Sequence, residues 1–437
     1  MLRVLAILFL ISLFIPAEFY TMAGTIRIEV YRVILGIALL YALFNFKVII
    51  PRADMVDVLL IALVALSFAS FWHNHGLQKA LESTGLYALE TLGAFYLARM
   101  YVITPARFFQ VNQILIIGIT LLVGFTIYEA FTHHRILHQW AEIITGKTAL
   151  DYRLYTEDYL RGPIMRATSV FIHPLLFGTL AASLFPFAFL LVIRTFRPAY
   201  IFNLFALIVS MILTMSSAPL LSIIFHGATA VLVRFWHGAR QFWVASFLGF
   251  MAFAMLVNAF SNRGFFGILI SYLTFNPNTG YFRMLQWQYT LDDDIPENLI
   301  LGIAHHDWTR PYWMEWMGNS IDSFWLLLAL QHGIFAALVL LIACFYAVFN
   351  ILNQVHLHDD SSRWMVTAWI LSFMSMILIG FTVDYFGTLQ PIMFFMLGAI
   401  SWARFYRSWN SDHPTENLAS PVIPANNDVK TSNNLQD

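Results

Sequence analysis

The amino-acid sequence predicts an all-α, polytopic membrane protein, and three observations carry that prediction. Of its 437 residues, 59% are hydrophobic and only 11% are charged, too little charge to cover a water-soluble surface of this size. The mean hydropathy is +0.69. Long apolar runs recur along nearly the whole chain, each approaching the ~20 residues that cross a hydrocarbon core as a helix. The short alternating segments of a transmembrane β-barrel are absent.

The runs predict about twelve helices, at 2–20, 26–46, 55–72, 83–103, 107–130, 169–193, 199–214, 217–235, 242–259, 322–350, 364–382 and 385–405. The first, MLRVLAILFLISLFIP, places Arg3 before an apolar core as a signal peptide does. It lacks a clear small-x-small cleavage site, so it reads as a retained helix. Segment 199–214 is short for a span, and 322–350 is long enough to protrude or tilt. Two long connections remain, 131–168 and 260–321, within a membrane domain covering 1–408. The tail 409–437 is polar, rich in Asn, Pro and Ser, and expected to be disordered.

Charge in the short connections sets the orientation. Lys47 and Arg52, Arg99 and Arg107, Arg194 and Arg197, Arg234 and Arg240, and Arg404 and Arg407 fall at alternate helix ends. They therefore share one face, expected to be cytoplasmic, with both termini on it. The opposite short connections, near Ser216 and Asp384, carry no Lys or Arg. Both long connections then lie on the outer side, and so do Arg161 and Arg166, against the usual bias. Long loops are less bound by that rule, so sidedness alone assigns the two arginines no role. Their place at a membrane mouth, beside His173-Pro174, favours an anionic ligand over mere solubilising charge.

The composition excludes other chemistries. A single cysteine, Cys344, rules out an intramolecular disulfide and a thiolate zinc site. A formal net charge of -1 without any basic tract points away from nucleic acid. Histidines occur as HNH (73–75), HHRILH (133–138) and HH (305–306). His134 and His138 have helical i,i+4 spacing, yet no acid completes a metal motif, so no metal or other cofactor is expected.

The second long connection holds Tyr281, Phe282, Trp287, Tyr289, Trp308, Tyr312, Trp313 and Trp316. These suit either an interfacial aromatic belt or a surface that stacks on sugar rings. Arg283 and Arg310 join Arg161 and Arg166, and an arginine fork offers a phosphate two parallel bonds. Asp292, Asp293, Asp294 and Glu297 offset that charge, which favours a discrete phosphate site over a general basic patch. Asp322 and Asp384 stand at helix mouths, where a carboxylate needs water or a cation.

Several stretches resemble one family. RATSVFIHPLLFGTLAASLFPF is similar to the R-A-x-G-x-F-x-H-P-N-x-L-G segment of O-antigen ligases and polysaccharide polymerases. LTMSSAPLLSII resembles their T-x-S-R-G turn, YFRMLQWQYTLDDDIPENLILGIAHHDW their R-x-x-x-W…P-L-x-G-x-G stretch, and DSFWLLLALQHGI their H-N-x-Y-L…E-x-G-L segment. Order, spacing and sidedness agree over roughly 160–335, whereas the first five helices match only in hydropathy.

The resemblance implies an inverting, metal-independent GT-C-type glycosyltransferase of a bacterial inner membrane. It would polymerise undecaprenyl-diphosphate-linked oligosaccharides at the periplasmic face. By position, Arg166 and Arg283 match the family's phosphate-binding arginines and Asp322 its catalytic histidine, with Asp322 on the face of the sugar opposite the phosphate. Arg161, His173, Arg310, His305, His306, Trp308 and Trp313 are the expected binding contacts. Membrane lipids, a chain-length regulator and a flippase are the expected partners. Two departures stand out: Ser217 occupies the arginine position of the turn, and Asp322 replaces the histidine. The SIDSFW form leans toward polymerases. The competing readings are a ligase that hands finished polymer to lipid A-core, and a transporter or flippase of lipid-linked oligosaccharide.

Overall fold

The computed structural model of the chain describes residues 1–49, 53–148, 159–261, 264–265, 268, 277–314 and 318–404. Arg52, Trp316, Arg407 and the tail 409–437 lie outside the described residues. Among the described residues the fold is mostly helical, with 6 helices long and apolar enough to cross a membrane. The chain is thus an all-α membrane protein. Large apolar side chains such as Leu121, Ile193, Phe242 and Met255 stand exposed on its flanks, as lipid contact requires.

The expected first helix is shorter than its apolar run. Helix α1 (Leu2–Ser12) stops before Pro16, which has no N–H to extend the ladder. A hairpin follows, pairing β1 (Tyr20–Ala23) with β2 (Ile26–Glu29) around Gly24 at φ 63. Helices α2 (Val30–Phe44) and α3 (Phe46–Ile49) lead into α4 (Met55–Ala88). A π-helical turn (Leu89–Gly93) joins α4 to α5 (Ala94–Tyr101).

Drawn straight, residues 55–101 would reach about 70 Å. Instead they double back at Gly76, whose φ of 81 and ψ of 174 break the helix. The proof is an ion pair: Arg99 reaches Asp57, and its Nη2 lies 3.3 Å from Asp54 Oδ2. The two expected spans 55–72 and 83–103 are thus antiparallel neighbours. Asp54 caps α4 by accepting from Val56 N, while Asp57 accepts from Asp54 N. Arg404 closes on the same Asp54 at 2.6 Å. Arg99 and Arg404, assigned to one face by their charge, meet there, at the basic end of the bundle.

Helix α6 (Pro105–Thr132) and short α7 (Ile136–Thr145) precede a second hairpin, β3 (Leu160–Arg161) and β4 (Ile164–Met165). Helix α8 (Pro174–Thr195) is the hub, buried from Leu176 through Leu184 without a break. It packs on α6, α9 (Pro198–Leu213), α10 (Ser217–Phe260) and α14 (Asp360–Ile379). A helix buried all round belongs at the centre of a bundle. The expected spans 217–235 and 242–259 are joined in α10, whose helical geometry breaks at Ala239. Helix α11 (Pro277–Tyr289) leads through a π-helical turn (Thr290–Asp294) into the loop beyond.

The expected long helix 322–350 is corrected to two, α12 (Phe324–His332) and α13 (Ile334–Gln354), broken at Gly333 with φ 85 and ψ 159. Only glycine adopts this backbone freely. Helix α12 lies across one end of the bundle. At its start Phe324 N donates to Val383 O (3.1 Å) and Trp325 Nε1 to Ile377 O (2.8 Å). At its finish Ser70 Oγ donates to Gln331 O (2.6 Å), beside the bend at Gly76. Helix α15 (Leu389–Ala399) then packs against α5.

A Cβ on Gly333 would run into the Ile300 carbonyl. Gly333→Ala is therefore expected to cost roughly 2–4 kcal/mol, from backbone strain and the clash together. Gly227, with nothing within 4 Å of an added Cβ, is the control. Thermal unfolding of the detergent-solubilised variants checks this. Equal midpoints for Gly333→Ala and Gly227→Ala would show that the bend does not need glycine.

Candidate anion-binding site at one end of the bundle

Helix α8 begins at Pro174, five residues later than its apolar run. Proline suits the first turn, and it forces His173 before it to be extended, at φ -147. His173 Nδ1 accepts from Leu175 N at 3.1 Å and so caps the helix. Burial, reinforced by the charge of Arg166, pushes this imidazole down to about 3. His173 is therefore a neutral acceptor, a positioning group instead of a cation.

The segment ahead of the cap is held by a residue that no motif signals. Glu129, buried near the end of α6, accepts from Thr168 N (2.9 Å), Thr168 Oγ1 (2.8 Å) and Ser169 N (2.8 Å). Arg135 lies 3.4 Å from the same carboxylate and over the Tyr159 ring. Backbone bonds from Arg166 N to Tyr159 O and from Ala167 N to Leu213 O complete the anchorage. The Arg166 guanidinium then donates from Nε to Thr214 O (3.2 Å) and from Nη2 to Ser216 Oγ (2.8 Å). The α9–α10 turn can come this close because position 178 is glycine. A Cβ there would meet Thr214 Oγ1 at 2.7 Å.

Arg283 enters from α11, almost fully buried. Its Nε sits 3.5 Å from Asp322 Oδ2, an ion pair longer than a good N–H···O bond. That Nε has no hydrogen-bond partner. Burial pulls the guanidinium below its ordinary value, and Asp322 opposes the shift. Gln286, one turn along α11, clamps the loop segment ahead of residue 323: its Nε2 donates to Ser320 O (2.8 Å) and its Oε1 accepts from Asp322 N (3.1 Å). The Asp322 side chain remains 38% exposed, so its carboxylate is open to the cavity.

These groups share a cavity of about 320 Å³ lined by Arg161, Arg166, His173, Ser216, Ser217, Arg283, Asp322 and Asp384, among others. The two long connections thus meet at one end, opposite the basic end. Three guanidinium groups face two carboxylates. Burial raises one of these carboxyls, Asp384, to about 7, with backbone bonding at Tyr385 opposing and the Asp322 charge adding to the rise. Below that pH the cavity carries a clear positive excess, the setting for a bound anion.

Asp384 is neutral below about 7 and ionised above it, so raising the pH adds negative charge and weakens anion binding. Dimethyl diphosphate does not titrate in this range. Its affinity is expected to fall roughly five- to tenfold between about pH 6 and pH 8, and Asp384→Asn should flatten the profile. An unchanged profile in that variant would remove Asp384 as the titrating group.

Other expected contacts fall elsewhere. Trp308 is buried, donates to Asn319 O at 3.2 Å, and carries Arg310 over its ring, so it packs instead of stacking on a ligand. Trp287 similarly donates to Phe381 O at 3.3 Å. Trp313 meets Tyr289 edge-on, half-exposed and away from the cavity lining. His305 and His306 pack around His75, near the Gly76 bend. His138 pairs with Glu18 at 2.8 Å, and no group of metal-ligating side chains occurs among the described residues. Asp322, expected on the face of the sugar opposite the phosphate, rests beside Arg283, one of the two arginines expected to hold that phosphate. Glu129, Gln286, Tyr159 and Ser216 escaped sequence reasoning, since isolated polar residues in apolar or loop segments carry no periodic signal.

The chain matches no protein-family model and no curated protein.

Proposed function

We propose that the protein is a membrane glycosyltransferase that polymerises diphosphate-linked oligosaccharide units carried on a polyprenyl lipid. The observation that carries this reading is the meeting of Arg166, from the first long connection, with Arg283 and Asp322, from the second and its end, around one cavity. Lipid diphosphates lie at the headgroup level, where a bundle end opens. The positive-inside bias makes the basic end cytoplasmic and the cavity end periplasmic, in a bacterial inner membrane.

In this mechanism the diphosphate takes the under-bonded edge of Arg283 together with Arg166, and Asp322 is released from its ion pair. An acceptor hydroxyl attacks the anomeric carbon and its proton passes to Asp322. The bond from that carbon to the phosphate oxygen breaks, and the electron pair leaves on the diphosphate, whose growing charge the two arginines stabilise. No metal is needed for that balance. Ser216 and Thr214 hold Arg166 in place, which offsets the missing arginine at Ser217 in the turn.

The test is reconstitution of the purified chain with a synthetic undecaprenyl-diphosphate repeat unit, its sugars taken from the host's own polysaccharide. Lipid-linked products of increasing length support the polymerase. Transfer only when lipid A-core is supplied replaces it with a ligase, which uses the same bond chemistry. Movement of the lipid across proteoliposomes without any new glycosidic bond replaces both with a flippase.

A further inference from the structure

A second cavity, of about 300 Å³, opens at the far end of α12, between the first hairpin, the α4–α5 pair and the start of α15. Nine helical residues put it about 13 Å along α12 from the first. Each of its cations has a carboxylate beside it, in the lining or, for Arg27, at Glu29 just outside it. Arg27 pairs with Glu29 at 3.0 Å, Arg32 with Glu90 at 2.8 Å and Lys79 with Glu82 at 4.0 Å. An anion would have to displace a carboxylate, and a cation would have to displace an arginine or lysine.

Polar atoms nonetheless remain unmet. His332 Nδ1 and Gln390 Nε2 are buried without a hydrogen-bond partner, and both residues line this cavity. His332 is only 3% exposed. An unpaired buried polar group costs on the order of 1–3 kcal/mol, so these two, with Tyr87 Oη and Arg27 Nε also without a hydrogen-bond partner at the same cavity, mark it as made for a polar guest. The walls beside them are aromatic: the Tyr87 ring stands 5.3 Å from His332, and Phe71 5.6 Å from it. A purely apolar guest leaves the two nitrogens orphaned, and a charged one opposes a formed ion pair. What fits is neutral, rich in hydroxyls, and has an apolar ring face.

We infer that this cavity is a binding site for a neutral saccharide unit, held by His332 and Gln390 against the Tyr87 and Phe71 rings. Under the glycosyltransferase reading, on which only this last assignment rests, it takes a sugar of the chain away from the reacting end. Helix α12 then links the two sites, with Asp322 just before its start and His332 at its finish.

Saturation-transfer NMR on the full chain in nanodiscs tests this, with maltopentaose, cellopentaose and mannopentaose as neutral probes. Tetragalacturonate and a chitosan pentamer are the acidic and basic comparisons. Transfer to a neutral probe is expected. Gln390→Leu and His332→Phe should each weaken it about tenfold, with thermal unfolding confirming that they fold. Arg283→Lys, in the other cavity, should leave it unchanged while affecting any elongation, which separates this site from the proposed reaction. The inference is overturned by no transfer to any neutral probe, by stronger binding of the acidic or basic oligomer, or by neutral binding indifferent to Gln390→Leu.

Discussion

Arg283→Lys is expected to lower elongation by about two to three orders of magnitude, the usual loss when one preorganised donor to a developing charge is removed. Lysine keeps the charge and can still face Asp322, so the fold should survive. What it lacks is the planar fork, which offers an incoming phosphate two parallel charge-assisted bonds as it displaces Asp322. Asp322→Asn makes the complementary case. In the resting cavity Asp322 competes with any anion for Arg283, at 3.5 Å. Removing its charge should therefore tighten binding of a diphosphate while depressing turnover by about two to four orders of magnitude, as expected for a lost general base. Calorimetric binding of dimethyl diphosphate, set beside product length on the same preparations, checks both. If Asp322→Asn loses binding and turnover together, Asp322 is a ligand contact and not the base. If it keeps full turnover, the proton acceptor lies elsewhere.

Glu129→Ala should destabilise the fold by about 3–5 kcal/mol, the cost of breaking a buried ion pair from one side. It withdraws an acceptor from Thr168 N, Thr168 Oγ1 and Ser169 N, and a carboxylate from beside Arg135. Glu129→Gln keeps an acceptor oxygen but turns an N–H₂ toward donors, so an intermediate loss is expected. Thermal unfolding of detergent-solubilised protein gives the ordering. Because this carboxylate also sets the backbone just after Arg166, Glu129→Gln should lower turnover more than its loss of stability explains. Wild-type stability in Glu129→Ala would show that the segment 166–169 is held by other contacts.

Much of the fold was legible in the chain. Each apolar run predicts where a helix lies, because burial in hydrocarbon requires every backbone group to be paired within the segment. The arginines at alternate helix ends predicted a shared face, and Arg99 and Arg404 do converge on Asp54. Candidate residues were legible where they broke the local pattern, as Arg161, Arg166, His173 and Asp322 do at helix mouths. The aromatic residues were not, because a tryptophan looks the same in sequence whether it stacks on a sugar or, like Trp308, donates to a neighbouring carbonyl inside the loop.

By itself, then, the sequence determined the class of the protein, the positions of most of its helices and the common face of its basic loops. These follow from hydropathy and charge, which act through nearest neighbours and the surrounding solvent. Only the tertiary structure decided that 322–350 bends at Gly333, that 55–101 doubles back at Gly76, and that Arg283 faces Asp322 while Glu129 holds the segment of Arg166. Those outcomes depend on which polar groups find partners across distant stretches of chain. A buried carboxylate or guanidinium is tolerated only where such a partner arrives, and no local pattern records its arrival.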